Sequence, residues 1–333
     1  MEPPMTPPDA SPLPHATPTA RIAHYPVTFF AIGMGMMGLT LALRAAEHAF
    51  GVARLASAWG LGLSVLLLCA VAIGYAAKAM THPAEVKAEW NHPVRIAFFP
   101  AISISLLLLS AALLEPAPQV AHGVWLGGTL LQGVLALSVI SSWIGHRAFQ
   151  PGHLTPAWFI PAVGNVIVPL AGARLGYTEI SWLFFSGGLV FWIVLLTLVV
   201  NRLMFHDPLP GKMVPTLMIL VAPPAVGFTA WLRLNGEAGP FGHFLLSAAY
   251  VFALIVATQA GRFRAIPFAL SWWALSFPLA ALAIASFGYA EAAGSAAHRL
   301  IGAGLLVLLL AIVAGLLLRT ARAIRSGEIC TPE

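Results

Sequence analysis

Runs of apolar residues divide the chain into ten windows, each close to the ~20 residues that cross a bilayer as a helix. They fall at 27–47, 57–77, 95–114, 122–144, 157–175, 179–201, 213–232, 241–259, 267–289 and 298–318. Connections between them are short, so neighbouring helices are predicted to pair as hairpins. Asn165 and two prolines interrupt window 157–175, and Pro215, Pro223 and Pro224 interrupt 213–232. Without those two windows eight helices remain, and the ends keep the same placement. The first 24 residues are rich in Pro, Thr and Ala and have no apolar run, which predicts a disordered tail over 1–24 rather than a signal peptide. A second tail is expected over 321–333, leaving 25–320 as the transmembrane domain.

Prolines divide the windows into two classes. Pro100 lies in the third, Pro161 and Pro169 in the fifth, Pro215, Pro223 and Pro224 in the seventh, and Pro278 in the ninth. The first has Gly33, Gly35 and Gly38 in the same zone, and no even-numbered window has an interior proline. Proline removes a backbone donor and clashes with the carbonyl four residues back. In lipid that freed carbonyl must face protein or water. The expectation is therefore kinked odd helices inside and smooth even helices outside. Pro100, Pro161, Pro223 and Pro278 are separated by 61, 62 and 55 residues, a hairpin-sized period that predicts five diverged hairpins around one axis. Such a ring suggests a central pore, with Pro100, Pro161, Pro223 and Pro278 lining it.

Composition agrees with a membrane setting. Of 333 residues 59% are hydrophobic and 9% charged, and the mean hydropathy is +0.87. Seventeen basic and twelve acidic residues are too few to clothe a soluble protein of this size. An ordinary soluble enzyme and a disordered protein are excluded. The basic residues are scattered rather than patched, which excludes a nucleic-acid partner despite a pI near 9.6. Cys69 and Cys330 are too far apart in context for a disulfide framework or metal-ligand spacing. With an N-terminus in the cytoplasm, twelve Lys and Arg, Arg147 among them, fall on the inner side and five on the outer. The positive-inside rule then puts both termini in the cytoplasm of a cell (inner) membrane protein.

Ionisable residues sit at helix ends and in loops, so neither haem ligation nor a mid-membrane proton carrier is expected. Inward polar candidates are Thr28, Thr40, Ser103, Ser105, Asn165, Thr229, Ser271 and Ser276. A lone Ser or Thr in a membrane helix more often bonds its own backbone or a neighbour than lines a pore. His82, Glu85, Glu89 and His92 have a spacing that a metal site would use, but they read best as a solvated loop, so no metal or other cofactor is expected. In the ninth window Trp272 and Trp273 precede Phe277, which stands directly before Pro278. The residue before proline is pushed from the helical region, so its ring projects where a regular helix would not place it.

EVKAEWNHPVRIAFFP (85–100), YPVTFFAIGMG (25–35), PAWFIPAVG (156–164), LVAPPAVG (220–227) and SWWALSFPLA (271–280) appear in one order. Together they resemble the tellurite-resistance TehA, slow-type anion channel and C4-dicarboxylate transporter family over roughly 25 to 322. The resemblance implies an all-α protein of ten helices, in five hairpins around a narrow pore in each protomer, and a homotrimer. It implies that Phe277 blocks the pore. It sets Ala31, where glycine is common, against that ring, and matches Gly33 to a familiar proline. The function expected is a passive channel or channel-like facilitator for small inorganic or organic anions, lined also by Ser103 and Ser276. A coupled exporter of dicarboxylate, sulfite or tellurite is the alternative, and membrane lipid the other partner.

Overall fold

The computed structural model describes residues 18–145, 149–264 and 266–330. Residues 1–17 of the expected tail, and Arg147 of the charge count, lie outside the described residues. Those described are almost wholly helical, with no strand among them. Among the described residues nine helices are long and apolar enough to cross a membrane: α1 Val27–Phe50, α2 Leu55–Thr81, α3 Arg95–Leu113, α4 Pro118–Ile144, α6 Thr178–Phe205, α7 Gly211–Asn235, α8 Gly239–Thr258, α9 Leu270–Ala292 and α10 Ala296–Arg325. A shorter apolar segment, α5 Pro156–Gly172, occupies the fifth window. This is an all-α polytopic membrane protein.

Burial separates the two classes. In α1, α3, α7 and α9 between 67% and 83% of the apolar window is buried, against 22–39% in α2, α4, α6, α8 and α10. Segment α5 is buried almost throughout. The inner segments touch in the order α1, α3, α5, α7, α9, and α9 packs back against α1. Each outer helix packs against the inner segment that precedes it in the chain.

The expected proline kinks take a different form. All five inner segments begin as 3-10 helix: Val27–Phe29, Arg95–Phe98, Pro156–Trp158, Gly211–Val221 and Leu270–Leu275. The prolines stand where this tighter winding becomes α-helix. Pro100 immediately precedes the α-helix Ala101–Leu113, Pro161 is third in Phe159–Ile167, Pro223 second in Ala222–Asn235 and Pro278 third in Ser276–Ala292. The first amides of an α-helix have no partner four residues back, so proline costs little there. Proline thus marks a change of helix type rather than a kink in mid-helix. Segment α5 breaks again between Ile167 and Pro169, and the Trp125 indole N–H donates to the Val168 carbonyl at 3.0 Å.

Two expectations at the ends are modified. Pro18–Ala23 is helical, and α10 continues to Arg325, beyond the expected start of a tail at 321. The loop expected between the second and third windows is a helix, Pro83–Asn91, opened by proline at its first position.

Candidate functional site

One face of every inner segment contributes to a single cavity of about 990 Å³. The lining residues recur at intervals of three: Thr28, Ala31 and Met34 on α1; Arg95, Phe98, Ala101 and Ile104 on α3; Ile160 and Val163 on α5; Ile219 and Ala222 on α7; Ser271, Ala274 and Phe277 on α9. A 3-10 helix has three residues per turn, so side chains three apart eclipse one another. Arg95 and Phe98 on α3, and Ser271 and Ala274 on α9, are eclipsed in this way, and every other such step crosses or lies beyond the point where the 3-10 winding becomes α-helix. Along each segment the lining stops part-way, at Met34, Ile104, Val163, Ala222 and Pro278. The cavity thus reaches from one end of the inner segments to the level of Phe277.

Its mouth is polar and its depth is not. His24, Lys78, Glu85, Glu89, His92, Arg95, Lys212 and Glu328 line the wide end. The deep wall consists of Ala, Ile, Val, Met and Phe side chains. At the mouth Glu89 is 3% exposed and Lys78 2%, and their ion pair measures 2.9 Å. The Glu89 carboxylate also accepts from the Tyr75 hydroxyl and from the Val27 amide, both at 3.1 Å. Lys78 Nζ donates to the Tyr25 carbonyl at 2.9 Å. This network ties helix Pro83–Asn91 to α2 and to the start of α1. It replaces the solvated-loop reading of the His82–His92 stretch. Within that stretch His92 Nδ1 accepts from the Val94 and Arg95 amides at 3.1 and 3.2 Å, capping the start of α3. Among the described residues no three His, Cys, Asp or Glu gather as a metal site would need.

The chain beyond α10 reaches the same mouth through Glu328, Ile329 and Cys330. Burial pushes the Cys330 thiol up, opposed by the positive charges of Arg21 and Lys78. Burial, and then the nearby Cys330, pushes the Tyr25 phenol up to about 12.

Phe277 is 6% exposed and lies at the deep end of the cavity. Its ring is seated on α1 at Gly38, where an added methyl would come 3.3 Å from Phe277 Cδ2 and 3.0 Å from Ala280 Cβ. The glycine beneath the ring is therefore Gly38. Ala31 lines the same cavity nearer its mouth.

Of the residues expected at the pore, Ala31, Phe277 and Pro278 are at the cavity, and six are not among its lining. Gly33 turns the other way, towards Leu68 and Ser105. Ser103 Oγ donates to Gln132 Oε1 at 2.7 Å and to the Pro100 carbonyl at 2.9 Å. Gln132 in turn donates to the Pro161 carbonyl and to Asn165 Oδ1, both at 3.0 Å. Pro100, Ser103 and Pro161 thus belong to a buried knot joining α3, α4 and α5. Ser276 Oγ donates to the Trp273 carbonyl at 2.6 Å and is wedged against Gly35. Pro223 is buried in the first turn of the α-helical part of α7. Of the other polar candidates, Thr28 and Ser271 line the cavity. Thr40, Ser105 and Thr229 bond their own helix, Thr40 also meeting Ser64. Sequence reasoning missed Met34, Ala101, Ile104, Ile160, Val163, Ile219 and Ala222, which lie in segments apolar on every face and so carry no distinguishing signal.

The profile of the voltage-dependent anion channel family matches residues 24–321. The chain belongs to that family. Among its relatives, the S-type anion channel SLAH2 of Arabidopsis thaliana is 30% identical over 285 residues, covering 81% of this chain and 53% of that protein. The tellurite resistance protein TehA homolog of Haemophilus influenzae is 29% identical over 264 residues, 78% of this chain and 79% of the relative. An uncharacterized transporter of Methanocaldococcus jannaschii, MJ0576, is 27% identical over 271 residues, 73% and 77%. The chain spans about half the length of the first plant relatives, 53% of SLAH2 and 41% of SLAH3. The match to the anion channel family runs from just before α1 almost to the end of α10 and takes in all five inner segments.

Proposed function

We propose that this chain is a passive channel, or channel-like facilitator, for small anions, and that Phe277 closes its conduction path. In this reading all ten apolar segments cross the cell (inner) membrane, as five hairpins around one pore per protomer. Both termini are cytoplasmic, so the cavity opens to the cytoplasm, and the protein assembles as a homotrimer in lipid. The observation that carries the reading is the cavity itself, to which all five inner segments contribute and which ends at the level of Phe277. Membership in the anion channel family and relatives named as S-type anion channels support the choice of anion.

The deep wall sets the mechanism. Without a fixed charge it cannot hold an ion tightly, so passage is governed by dehydration and weak dipoles. Weakly hydrated monovalent anions such as nitrate or chloride pass more readily than strongly hydrated divalent ones. Coupling to protons needs an ionisable relay along the path, and the deep lining offers none.

Anion uptake into liposomes, with and without an imposed pH difference, tests the proposal. Flux that follows the anion's own electrochemical gradient is expected. Strict dependence on the pH gradient would instead establish a coupled exporter of dicarboxylate, sulfite or tellurite.

A further inference from the structure

Two successive residues of the outer helix α10 hold the two tryptophans that lead to Phe277. The Arg319 guanidinium lies 5.5 Å from the centre of the Trp272 ring. Thr320 Oγ1 accepts from the Trp273 indole N–H at 3.0 Å. Trp273 is 1% exposed and Thr320 6%, so this bond is buried. Elsewhere in the chain Thr197 and Thr229 turn their hydroxyls to carbonyls of their own helices. Thr320 instead reaches across to α9.

Trp273 is fixed at three points. Its indole N–H is held by Thr320, and its Cε3 edge faces Gly35, where an added methyl would lie 3.1 Å away. Its carbonyl accepts from Ser276 Oγ. Phe277 follows one turn later, where 3-10 winding gives way to α-helix at Ser276. Pro278 has no amide hydrogen to return to the Ala274 carbonyl. The turn that bears Phe277 is therefore short of backbone bonds, and side-chain anchors set its rotation about the helix axis.

We infer that Thr320, acting through Trp273, is a positioning residue that holds Phe277 in the closing orientation. The inference rests on the reading of Phe277 as the closure. It makes the mouth-side end of α10 a lever on the conduction path, although α10 itself stands on the outer wall.

Anion currents through purified protein in planar bilayers test this with Thr320→Val, Thr320→Ser, Trp273→Phe, Phe277→Ala and the double variant Phe277→Ala/Thr320→Val. Thr320→Val keeps the side-chain volume and removes the acceptor. A current about tenfold above wild type is expected, since a tenfold shift between closed and open needs only about 1.4 kcal/mol and a buried hydrogen bond supplies that order of energy. Thr320→Ser keeps the hydroxyl and should stay at the wild-type level. On the Phe277→Ala background Thr320→Val should add nothing, because the ring it positions is gone.

Trp273→Phe removes the donor instead of the acceptor. It should raise the current in the same way, and it carries the test if Thr320→Val does not assemble. Wild-type current in Thr320→Val, or in Trp273→Phe where that variant carries the test, overturns the inference while leaving the closure intact. An equal gain on both backgrounds overturns it too, because the effect would bypass Phe277. A Phe277→Ala current no larger than wild type sinks the closure reading itself, and the inference with it.

Discussion

Replacing Glu89 by leucine should be among the most damaging single changes outside the inner helices. Glu89 is 3% exposed, and its carboxylate holds Lys78 at 2.9 Å together with the Tyr75 hydroxyl and the Val27 amide at 3.1 Å. The leucine variant leaves Lys78, 2% exposed, with only the Tyr25 carbonyl among these partners. Breaking a buried pair by removing one member costs about 3–5 kcal/mol. The Val27 and Tyr75 donors lose their acceptor as well, at about 1 kcal/mol or more each. These effects overlap, and a total of about 5 kcal/mol is expected. The double variant Glu89→Leu/Lys78→Met removes the stranded charge and should recover more than about 2 kcal/mol, because apolar replacement of a whole buried pair is often nearly neutral. Equilibrium unfolding in mixed dodecyl sulfate micelles would read both. Strictly additive losses, or a Glu89→Leu loss under about 1 kcal/mol, would refute the claim that this pair holds the mouth together.

Gly35→Ala should destabilise the α1–α9 contact, since the new methyl overlaps the Ser276 hydroxyl and lies 2.9 Å from its Cβ. Overpacking of about 1–3 kcal/mol outweighs the gain of about 1 kcal/mol from alanine in a helix, and adding Ser276→Gly should restore part of the loss; a more stable single variant would contradict the packing. Tyr25, pushed up to about 12 from an ordinary value of 10.0, contributes stability that is complete below pH 10 and lost as pH rises through about 12. Tyr25→Phe should lose less stability than wild type over that range, and equal losses would count against burial as the cause.

The inner segments were legible because proline is tolerated in few places. Pro100, Pro161, Pro223 and Pro278 had to stand where backbone groups meet protein rather than lipid, and the segments that carry them are the buried ones. What proline does there was misjudged, since sequence alone does not separate a kinked α-helix from a 3-10 stretch that becomes α at the proline. Ser103 and Ser276 were expected at the pore while Ala101 and Ile104 were passed over, because the apolar sequence does not show which face of an inner helix turns to the axis. The Lys78–Glu89 pair was hidden for another reason. It joins the last turn of one helix to the last turn of the next across the break at His82, where helical spacing predicts nothing. The expected departure before Pro278 is not seen, because Phe277 lies within the α-helix Ser276–Ala292, where Pro278 is third and costs little; packing, not a distorted backbone, puts its ring at the deep end of the cavity.

The most direct test of the closure is the anion current of Phe277→Ala against wild type and Phe277→Leu, with thermal stability measured on the same preparations. Truncating a phenylalanine packed on all sides costs about 3–5 kcal/mol. Phe277 is 6% exposed yet borders a cavity of about 990 Å³, so part of its ring faces open space and the loss should fall below that range. Phe277→Ala should conduct far more than wild type while melting close to it, with Phe277→Leu between the two in current. A variant that conducts like wild type but melts much lower would make Phe277 ordinary core packing and place the barrier elsewhere.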